Sequence, residues 1–414
     1  MKILIVTQYF WPESFMINDV VKALINQGHT VVVATGKPNY PEGKIFTGYR
    51  ASGVQRELFG RQALLVRIPT WPRKHGGARN LILNYLVFVL AGVFCLPWAL
   101  RGLKFDAILV YAPSPLTQTI PAIVLKWIKR APLALWVQDL WPESLEATGF
   151  IRNKKALKLV GYMVYWIYKG CDVLLAQSKA FIAPLNEYAN RSKIRYQPNS
   201  YPEQSVGEQV EAPLELLQLL ESKFCIVFAG NLGQVQALDT VVETAVQLKE
   251  HKDISIVLVG SGSRSEWLVK QKQEKGLSNL ELPGRFPMQA MSSIFSRAGA
   301  LLVSLEDDPI FALTIPSKIQ AYLAAGKPVL ASLNGEGARV VLEAGAGLAS
   351  PAGDSAGLAA NILKLKALPE ATRLEMGRHG KAYFLAYFET ESQAKHLVET
   401  LSAMGPGKSG ITTT

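Results

Sequence analysis

The chain has 414 residues, of which 49% are hydrophobic and 19% charged, and its formal net charge is +11. This length exceeds one ordinary α/β core and predicts two domains of about 200 residues each. The positive charge favours an anionic partner, such as an acidic membrane surface or a phosphorylated substrate. Blocks of Arg and Lys interleaved with aromatic residues are absent from the sequence, which argues against a nucleic-acid partner.

The cysteines and the N-terminus favour a cytoplasmic protein. Cys95, Cys171 and Cys225 are far apart in mostly apolar surroundings, which predicts reduced core residues. No group of Cys and His has the spacing of metal ligands, so neither a bound metal nor another cofactor is expected. The apolar run from Met1 to Thr7 is too short for a signal peptide and predicts a first buried strand.

Short apolar runs alternate with helical stretches in the first half, a pattern typical of a parallel sheet covered by helices. The predicted strands are Lys2–Thr7, Thr30–Thr35, Leu64–Arg67, Ala107–Val110, Leu133–Val137 and Val173–Ala176. The predicted helices are Ile17–Gln27, Thr117–Lys129 and Lys154–Lys169. These elements predict a Rossmann-like domain over residues 1–200, followed by a polar, Glu-, Gln- and Pro-containing linker over residues 201–213.

The second half repeats the pattern and predicts another Rossmann-like domain over residues 214–388. Its predicted strands are Cys225–Ala229, Ile254–Val259, Ala300–Val303 and Pro328–Ala331, with helices near Leu238–Leu248, Glu266–Lys275 and Met288–Ala298. A last helix over residues 389–404 can pack back onto the first domain, and residues 405–414 are expected to be disordered. Two doubly wound domains facing each other predict a cleft at the carboxyl ends of both sheets.

The segment Asn80–Arg101 is unusually apolar, because Asn84 is the only strongly polar side chain between Leu81 and Leu100. Its length permits a membrane span, but predicted strands of one domain lie on both sides of it. A helix that dips into the bilayer interface, with its basic flanks on lipid headgroups, is a second interpretation. A buried core helix is the third.

Two loops of the first domain share the sequence Trp-Pro-Glu-Ser, at residues 11–14 and 141–144. Both follow the carboxyl end of a predicted strand, where open α/β sheets bind ligands. Carboxylates and Trp faces suit a sugar, although each Trp-Pro can equally be a rigid turn with a packed indole.

The segment Pro316-Ser317-Lys318 follows an apolar strand and opens a helix that ends at Gly326, before Lys327-Pro328-Val329. A helix N-terminus beside a Lys favours a phosphate, although a Ser cap with a solvated Lys is the simpler interpretation. The order of residues in this segment resembles the nucleotide-sugar-binding segment of bacterial family 4 glycosyltransferases.

The run from Val137 to Ser144 closely resembles the subgroup of that family that builds bacterial surface polysaccharides, including colanic acid fucosyltransferases and O-antigen N-acetylfucosaminyltransferases. The resemblance continues in residues 9–19, 37–41 and 229–233, and it covers nearly the whole chain. It implies a GT-B fold with two Rossmann-like domains, a nucleotide-sugar donor in the C-terminal domain and an acceptor in the N-terminal domain. It also implies no bound metal, retention at the anomeric carbon and, often, a polyprenyl-diphosphate-linked acceptor.

The chain departs from the common family pattern at several positions. Asn231 and Gln236 replace an Arg and a Lys that grip the donor diphosphate in the family. Leu313 and Ala321 replace two Glu residues, the second of which holds the ribose hydroxyls, and Gln138 or Asp139 matches an active-site His. The resemblance therefore leaves Lys318 and Arg285 as the candidate cations for the diphosphate, with loop amides beside them.

The remaining site predictions follow from these loops. Phe286, beside Arg285, belongs to a loop that receives the nucleobase in the family, and Gly260 belongs to a Gly turn after a strand. The predicted donor-binding residues are Gly230, Asn231, Gly233, Gln236, Gly260, Arg285, Phe286, Thr314, Pro316, Ser317 and Lys318. The predicted catalytic residues are Asp139, Glu143 and Lys318, and the predicted acceptor-side residues are Trp11, Glu13, Asn18 and Trp141.

The resemblance therefore implies a retaining glycosyltransferase that moves a sugar from a UDP-sugar to a lipid-linked acceptor in surface polysaccharide biosynthesis. It is expected on the inner face of the cytoplasmic membrane, which it contacts through Asn80–Arg101. Two alternatives remain open: a nucleotide-sugar 2-epimerase on the same fold, and a catalytically silent protein that binds sugar nucleotides.

Overall fold

The structure is a computed structural model that describes residues 1–60, 62–74, 77–203 and 210–405. The chain forms two compact units, one from Met1–Ser200 with the segment that begins at Thr390, and the other from Tyr201–Glu389. Most of the predicted tail and residues 204–209 of the predicted linker lie outside the described residues. The predicted cleft between the two domains stays a prediction.

Unit 1 is built, in the part of the chain that the structure describes, on an eight-stranded sheet of order β3-β4-β2-β1-β5-β6-β7-β8. All neighbouring strands are parallel except β3, which pairs antiparallel with β4 at the edge. The strands are β1 Lys2–Val6, β2 Thr30–Thr35, β3 Gln55–Phe59, β4 Ala63–Arg67, β5 Ala107–Ala112, β6 Leu133–Val137, β7 Val173–Ala176 and β8 Ile194–Tyr196.

The α-helices of unit 1 follow these strands in the βαβ order of a parallel sheet. They are α1 Ile17–Asn26, α2 Ala78–Ala99, α3 Ile120–Lys129, α4 Glu143–Ala147, α5 Lys154–Gly170 and α6 Ile182–Tyr188. Strands β5 and β6 are buried along their whole length, because helices cover both faces of a parallel sheet.

Unit 2 has, among the residues described, a six-stranded parallel sheet of order β11-β10-β9-β12-β13-β14. Its strands are β9 Phe224–Asn231, β10 Ile254–Ser261, β11 Leu280–Gly284, β12 Ala300–Ser304, β13 Val329–Ser332 and β14 Gly347–Ser350. Its helices are α7 Leu214–Ser222, α8 Leu238–Gln247, α9 Ser265–Glu274, α10 Met291–Arg297, α11 Pro309–Ala312, α12 Ser317–Ala325, α13 Glu336–Glu343, α14 Ser355–Ala367 and α15 Glu370–Tyr387.

The last helix, α16 (Thr390–Ala403), packs on unit 1. Its Ala394, Leu397 and Leu401 are buried in the same core as the apolar face of α1. Gln27 at the end of α1 donates to the Glu391 carbonyl at 2.7 Å. Tyr201, the first residue of the predicted linker, belongs to unit 2 in the structure. Its backbone amide donates to the Phe388 carbonyl at 2.8 Å.

Helix α2 is not the fully buried core helix that was one interpretation of Asn80–Arg101. Among the described helices it is the one long and apolar enough to cross a membrane, yet only 22% of its most apolar window is buried. One side is buried at Phe88 and Leu96, and the buried Asn84 accepts from Gln8 Nε2 at 2.6 Å. The opposite side exposes large apolar residues spaced four apart: Ile82, Leu86, Leu90, Phe94 and Trp98. Because the flanking strands β4 and β5 belong to one sheet, α2 lies along the unit with one apolar face exposed.

Candidate active site

Unit 2 contains a cavity of about 850 Å³ at the carboxyl ends of β9 and β10. This is the edge where open α/β sheets bind ligands. The lining residues are Tyr201, Ala229, Gly230, Asn231, Val259, Gly260, Ser261, Gly262, Arg285, Phe286, Pro287, Met288, Met291, Phe295, Ser317, Lys318, Ala321 and Tyr322.

Glycines let the backbone strands approach each other closely at the mouth of this cavity. A Cβ on Gly260 would lie 1.8 Å from the Gly230 carbonyl oxygen, and a Cβ on Gly262 would lie 2.4 Å from the Leu232 carbonyl oxygen. Gly260 also has a φ of +145°, which L side chains rarely adopt. The site therefore presents bare peptide groups to a ligand, as a phosphate-binding loop does.

Lys318 is the second residue of α12, and its side chain extends to Gly230 near the end of β9. Its Nζ donates to Gln236 Oε1 at 3.0 Å and lies 5.0 Å from the centre of the Phe228 ring. Burial lowers the pKa of Lys318, because the charged form loses hydration. No Asp or Glu lies among the described residues that line the cavity, whereas Arg285 and Lys318 supply two cations. The arrangement suits an anionic ligand.

The predicted donor-binding residues divide into two groups. Seven of them line the cavity: Gly230, Asn231, Gly260, Arg285, Phe286, Ser317 and Lys318. Gly233, Gln236, Thr314 and Pro316 do not line it but lie in the supporting loops. Gln236 holds the Lys318 ammonium, the Thr314 hydroxyl donates to the Phe311 carbonyl at 3.1 Å, and Pro316 precedes the first residue of α12.

Several lining residues were missed by the sequence analysis, notably Tyr201, Tyr322 and Phe295. Tyr322 hydroxyl accepts from the Ala229 amide at 2.9 Å and so fixes the end of β9. Helical spacing could have identified it, because Lys318, Ala321 and Tyr322 are three and four residues apart on one face of α12. Ala321, which replaces the family Glu, does line the cavity and offers no carboxylate there.

A second cavity of about 820 Å³ lies beside the edge strand β11. Its lining includes Lys272 and Glu281, which form an ion pair at 2.8 Å, among mostly apolar side chains. Because Lys272 already forms an ion pair with Glu281, the second cavity does not offer two cations to an anionic ligand. The first cavity offers Arg285 and Lys318. The cavity with Arg285 and Lys318 is therefore the candidate active site in unit 2.

The first Trp-Pro loop of unit 1 is held by its own polar residues. The buried Glu13 carboxylate accepts from the backbone amides of Phe10, Asn39 and Tyr40 at 3.2, 2.8 and 2.7 Å. Asn18 accepts from the Trp11 amide at 3.1 Å and donates to the Glu13 carbonyl at 2.7 Å. Glu13, predicted on the acceptor side, therefore connects this loop to the loop of Asn39 and Tyr40. Asn18, also predicted there, ties the loop to α1, while the half-exposed Trp11 remains accessible.

Asp139 follows β6 and lies against the second Trp-Pro loop. The Trp141 indole Nε1 donates to Asp139 Oδ2 at 3.1 Å, and the indole itself is buried. Trp141, predicted to stack on an acceptor sugar, is thus packed in the protein and orients Asp139. Burial raises the pKa of Asp139, and the hydrogen bonds from Trp141 and other neighbours act in the opposite direction.

Glu143 opens α4 and has a different environment from Asp139. Its side chain has a polar contact with Tyr188 of α6. Burial raises the pKa of Glu143, and the negative charges of Glu187 and Glu146 raise it further. A carboxyl group in these surroundings can hold a proton at a higher pH than an exposed one.

A cationic side chain that the sequence analysis did not single out completes the cluster around Asp139. The Arg73 guanidinium lies over two aromatic rings, 5.8 Å from the centre of Tyr9 and 5.4 Å from that of Tyr40. Tyr85 of α2 has side-chain polar contacts with Arg73 and with Ser114, and Ser114 in turn contacts Asp139. The loops after β4, β5 and β6, together with helix α2, thus bring a guanidinium, two hydroxyls and a carboxylate together.

Within the described residues, no group of three or more His, Cys, Asp and Glu side chains could hold a metal ion. The absence of a cofactor therefore stays a prediction from the sequence.

Comparison with known proteins finds similarity to glycosyltransferases. Residues 223–367 match the family described as "Glycosyl transferases group 1". The chain is 27% identical over 257 residues to the probable glycosyltransferase WbjE of Pseudomonas aeruginosa, a match that covers 60% of this chain and 62% of WbjE. It is 24% identical over 340 residues to the putative colanic acid biosynthesis glycosyl transferase WcaI of Escherichia coli (strain K12), covering 79% and 82% of the two chains.

Solved structures of low sequence identity share the fold. HepE of Anabaena, solved in complex with UDP, has a TM-score of 0.68 at 15% identity and covers 97% of this chain and 100% of its own. A glycosyltransferase from Rickettsia africae has a TM-score of 0.69 at 14% identity, covering 97% and 98%. The GT-B fold and the resemblance to glycosyltransferases of the colanic acid and O-antigen type are confirmed.

Proposed function

We propose that this chain, a glycosyltransferase with a GT-B fold, transfers a sugar from a UDP-sugar to a lipid-linked saccharide acceptor in bacterial surface polysaccharide biosynthesis. The observation that carries the proposal is the cavity of unit 2, which combines bare glycine backbone with Arg285 and Lys318 and, among the described residues, no carboxylate. A nucleoside diphosphate is the anion that this chemistry fits. The HepE structures with UDP and with UDP-glucose support UDP as the nucleotide.

The cations of the cavity act at the step in which the donor glycosidic bond breaks. As the bond between the anomeric carbon and the diphosphate oxygen lengthens, negative charge accumulates on the diphosphate. Lys318 and Arg285, with the amides at the start of α12, stabilise that charge more in the transition state than in the bound donor. This assignment uses no metal ion.

The cluster around Asp139 receives the acceptor. With retention of configuration, the acceptor oxygen bonds to the anomeric carbon on the face that the diphosphate leaves, and the acceptor proton passes to the departing phosphate oxygen. Asp139 then orients the acceptor hydroxyl or stabilises positive charge on the sugar. Arg73, held over Tyr9 and Tyr40, contacts the anionic phosphate of the lipid-linked acceptor.

The lipid-linked acceptor requires access to a membrane, and helix α2 supports a position on the inner face of the cytoplasmic membrane. Its five exposed apolar residues between Ile82 and Trp98 extend over about 24 Å at 1.5 Å per residue. Arg79 and Arg101 flank this stripe at both ends, where they can contact lipid phosphates.

The test is incubation of the purified chain with a panel of nucleoside diphosphate sugars, with and without a short polyprenyl-diphosphate-linked saccharide. We expect UDP to stabilise the protein against heat, slow hydrolysis of one UDP-sugar without acceptor, and transfer with acceptor. Products with the α or β configuration are then distinguished by NMR. Conversion of a UDP-sugar to its 2-epimer, or nucleotide binding without turnover under any condition, would contradict the proposal.

A further inference from the structure

Helices α2, α3 and α5 lie side by side on unit 1. Gly92 of α2 packs on α3, because an added Cβ would lie 2.5 Å from Pro121 Cγ. Gly170 of α5 packs on the same helix, since its Cβ would lie 2.8 Å from Ile123 Cδ1. All three helices expose large apolar side chains: Ile82, Leu86, Leu90, Phe94 and Trp98 of α2, Trp127 and Ile128 of α3, and Leu159, Tyr162, Tyr165 and Trp166 of α5.

The exposed residues of α5 form one continuous face. At 100° per residue, the exposed lysines and the exposed Leu, Tyr and Trp side chains fall within an arc of about 140°. The buried side chains Val164, Ile167 and Tyr168 lie on the opposite side, against the unit. Tyr162 is 62% exposed, Tyr165 51% and Trp166 53%, so the aromatic rings are presented to solvent instead of the core.

The charge on these helices has one sign. Together α2, α3 and α5 contain seven Lys and Arg residues and no Asp or Glu. Lys126 and Lys129 of α3 are engaged, the first with Asp172 at 2.7 Å and the second with the Leu100 and Leu103 carbonyls. The four lysines of α5, at positions 154, 155, 158 and 169, are exposed and form no ion pair among the described residues.

The helices on the other side of unit 1 provide an internal comparison. Helices α1 and α16 expose no large apolar side chain, and they carry Asp19, Glu391 and Glu399 as well as basic residues. The exposed apolar and basic surface of α2, α3 and α5 is thus absent from α1 and α16.

We propose that α5 is a second membrane-binding helix, which adds four exposed lysines and three exposed aromatic rings to the apolar stripe of α2. The occupant of the α2-α3-α5 face is then an anionic bilayer surface. Lysines pair with lipid phosphates while Tyr162, Tyr165 and Trp166 enter the headgroup layer, where amphipathic rings are favoured. The inference rests on the proposed function only in that both place the protein at a membrane.

A second copy of this chain is the other possible occupant of an apolar face of this kind. Self-association would bring two surfaces of the same positive sign together, with no Asp or Glu on these helices to pair the lysines. Such like-charge contact is unfavourable, whereas an anionic lipid surface is complementary to it.

The experiment measures binding of the full chain to two kinds of vesicle: pure phosphatidylcholine, and phosphatidylcholine in which about a quarter of the lipid is replaced by anionic phosphatidylglycerol. The test variant carries Lys155→Gln and Lys158→Gln on α5. The matched control carries Lys22→Gln on α1 and Lys395→Gln on α16. Each lysine near an anionic surface accounts for roughly a fivefold change in partition. We therefore expect the α5 variant to bind at least tenfold more weakly and the control to bind like the wild type.

A second variant, Tyr162→Ser with Trp166→Ser, tests insertion of the rings. It should weaken binding even to vesicles at high salt, where the lysine contribution is screened. UDP-sugar hydrolysis without acceptor and the melting temperature should be unchanged in both α5 variants, since these side chains are exposed.

Wild-type binding by the two α5 variants, with loss of binding only in an α2 variant, would overturn the inference and leave the proposed function intact. A wild-type dimer in sedimentation equilibrium that the α5 variants convert to monomer would also overturn it, because the face would then be an interface between copies. A chain that hydrolyses UDP-sugar but binds neither vesicle contradicts the membrane site and not the donor site.

Discussion

Lys318 lies directly beneath Gly230, so closely that a Cβ on Gly230 would come within 2.8 Å of the lysine Cε and 3.2 Å of its Nζ. The glycine at the end of β9 thus leaves room for the lysine of α12 to reach the cavity. Gln236 holds the ammonium from the other side at 3.0 Å. Gln236, which departs from the common family pattern in the first loop, thus contacts a cation that comes from a different helix, and Asn231, the other departure, lines the same cavity.

Lys318→Ala should weaken donor binding and slow turnover. One charge-assisted phosphate contact contributes about 1.5–3 kcal/mol, which corresponds to roughly ten- to hundredfold in the donor constant. Isothermal titration with UDP and donor-dependent kinetics measure the change. Lys364→Ala, an exposed lysine of α14, is the matched control and should leave both unchanged. Normal UDP affinity in a folded Lys318 variant would remove the lysine from the donor site.

The pH dependence of UDP binding should report the same residue. Burial lowers the pKa of Lys318, so the ammonium loses its proton at a lower pH than an exposed lysine does. UDP affinity should therefore fall as the pH rises through this lowered value. Lys318→Arg should abolish that alkaline loss, since arginine stays protonated. An identical alkaline profile in the Arg variant would assign the titration to another group.

Asp139→Asn should reduce turnover by about a hundredfold or more while UDP affinity stays near the wild-type value. Because burial raises the pKa of Asp139, activity that needs the carboxylate should be lost as the pH falls through that raised value. The Asn variant should lack this acidic limb. Loss of UDP binding in the variant would instead make Asp139 a scaffold residue.

Arg73→Ala should raise the KM for a diphosphate-linked acceptor by about ten- to hundredfold without changing UDP-sugar hydrolysis. Arg50→Ala, an exposed arginine of the same unit, is the control. An acceptor that carries the saccharide on a neutral alkyl chain should be insensitive to Arg73. Equal losses with charged and neutral acceptors would mean that Arg73 maintains the loop and does not contact phosphate.

Gly260→Ala should destabilise the protein and remove nucleotide binding, because its Cβ would overlap the Gly230 carbonyl. Strain at a glycine-type φ alone costs about 1–3 kcal/mol, and the overlap adds to it. Gly284→Ala is a matched comparison, because Gly284 also has a positive φ, of +88°, but has open space around its Cβ position. Urea unfolding of both variants measures the difference. Equal stabilities would show that β9 and β10 can separate at no cost.

Leu86→Ser with Leu90→Ser should weaken vesicle binding without unfolding the protein, since both leucines are exposed on α2. Phe88 lies between the two leucines in sequence but is fully buried. The variant Phe88→Ser should therefore lose about 3–5 kcal/mol of stability. Co-sedimentation and thermal melting together separate the two effects. A large loss of stability in the leucine variant would mean that the exposed face of α2 is covered within the protein.

The sequence by itself determined the alternating α/β pattern, because buried parallel strands require continuous apolar runs and their covering helices do not. The strands absent from the prediction, β3, β8, β11 and β14, are the edge strands of the two sheets. Strand β3 alternates half-buried and exposed residues before Phe59, and β8 has only three residues. The segment Pro316-Ser317-Lys318 was also recognisable, since a helix start beside a lysine is a local feature.

Only the tertiary structure decided which polar residues stay available to a ligand. Glu13 and Asn18 look like ligand-binding residues in the sequence, but their side-chain oxygens accept hydrogen bonds from backbone amides of their own loop and, for Glu13, of the loop at Asn39. Conversely, Arg73 lies in an unremarkable loop and becomes notable only where Tyr9, Tyr40 and Tyr85 meet it. The apolar residues of α2 likewise divided into a buried and an exposed face only when the neighbours of the helix were known. Burial and hydrogen bonding depend on contacts between residues far apart in the chain, and a linear pattern does not contain those contacts.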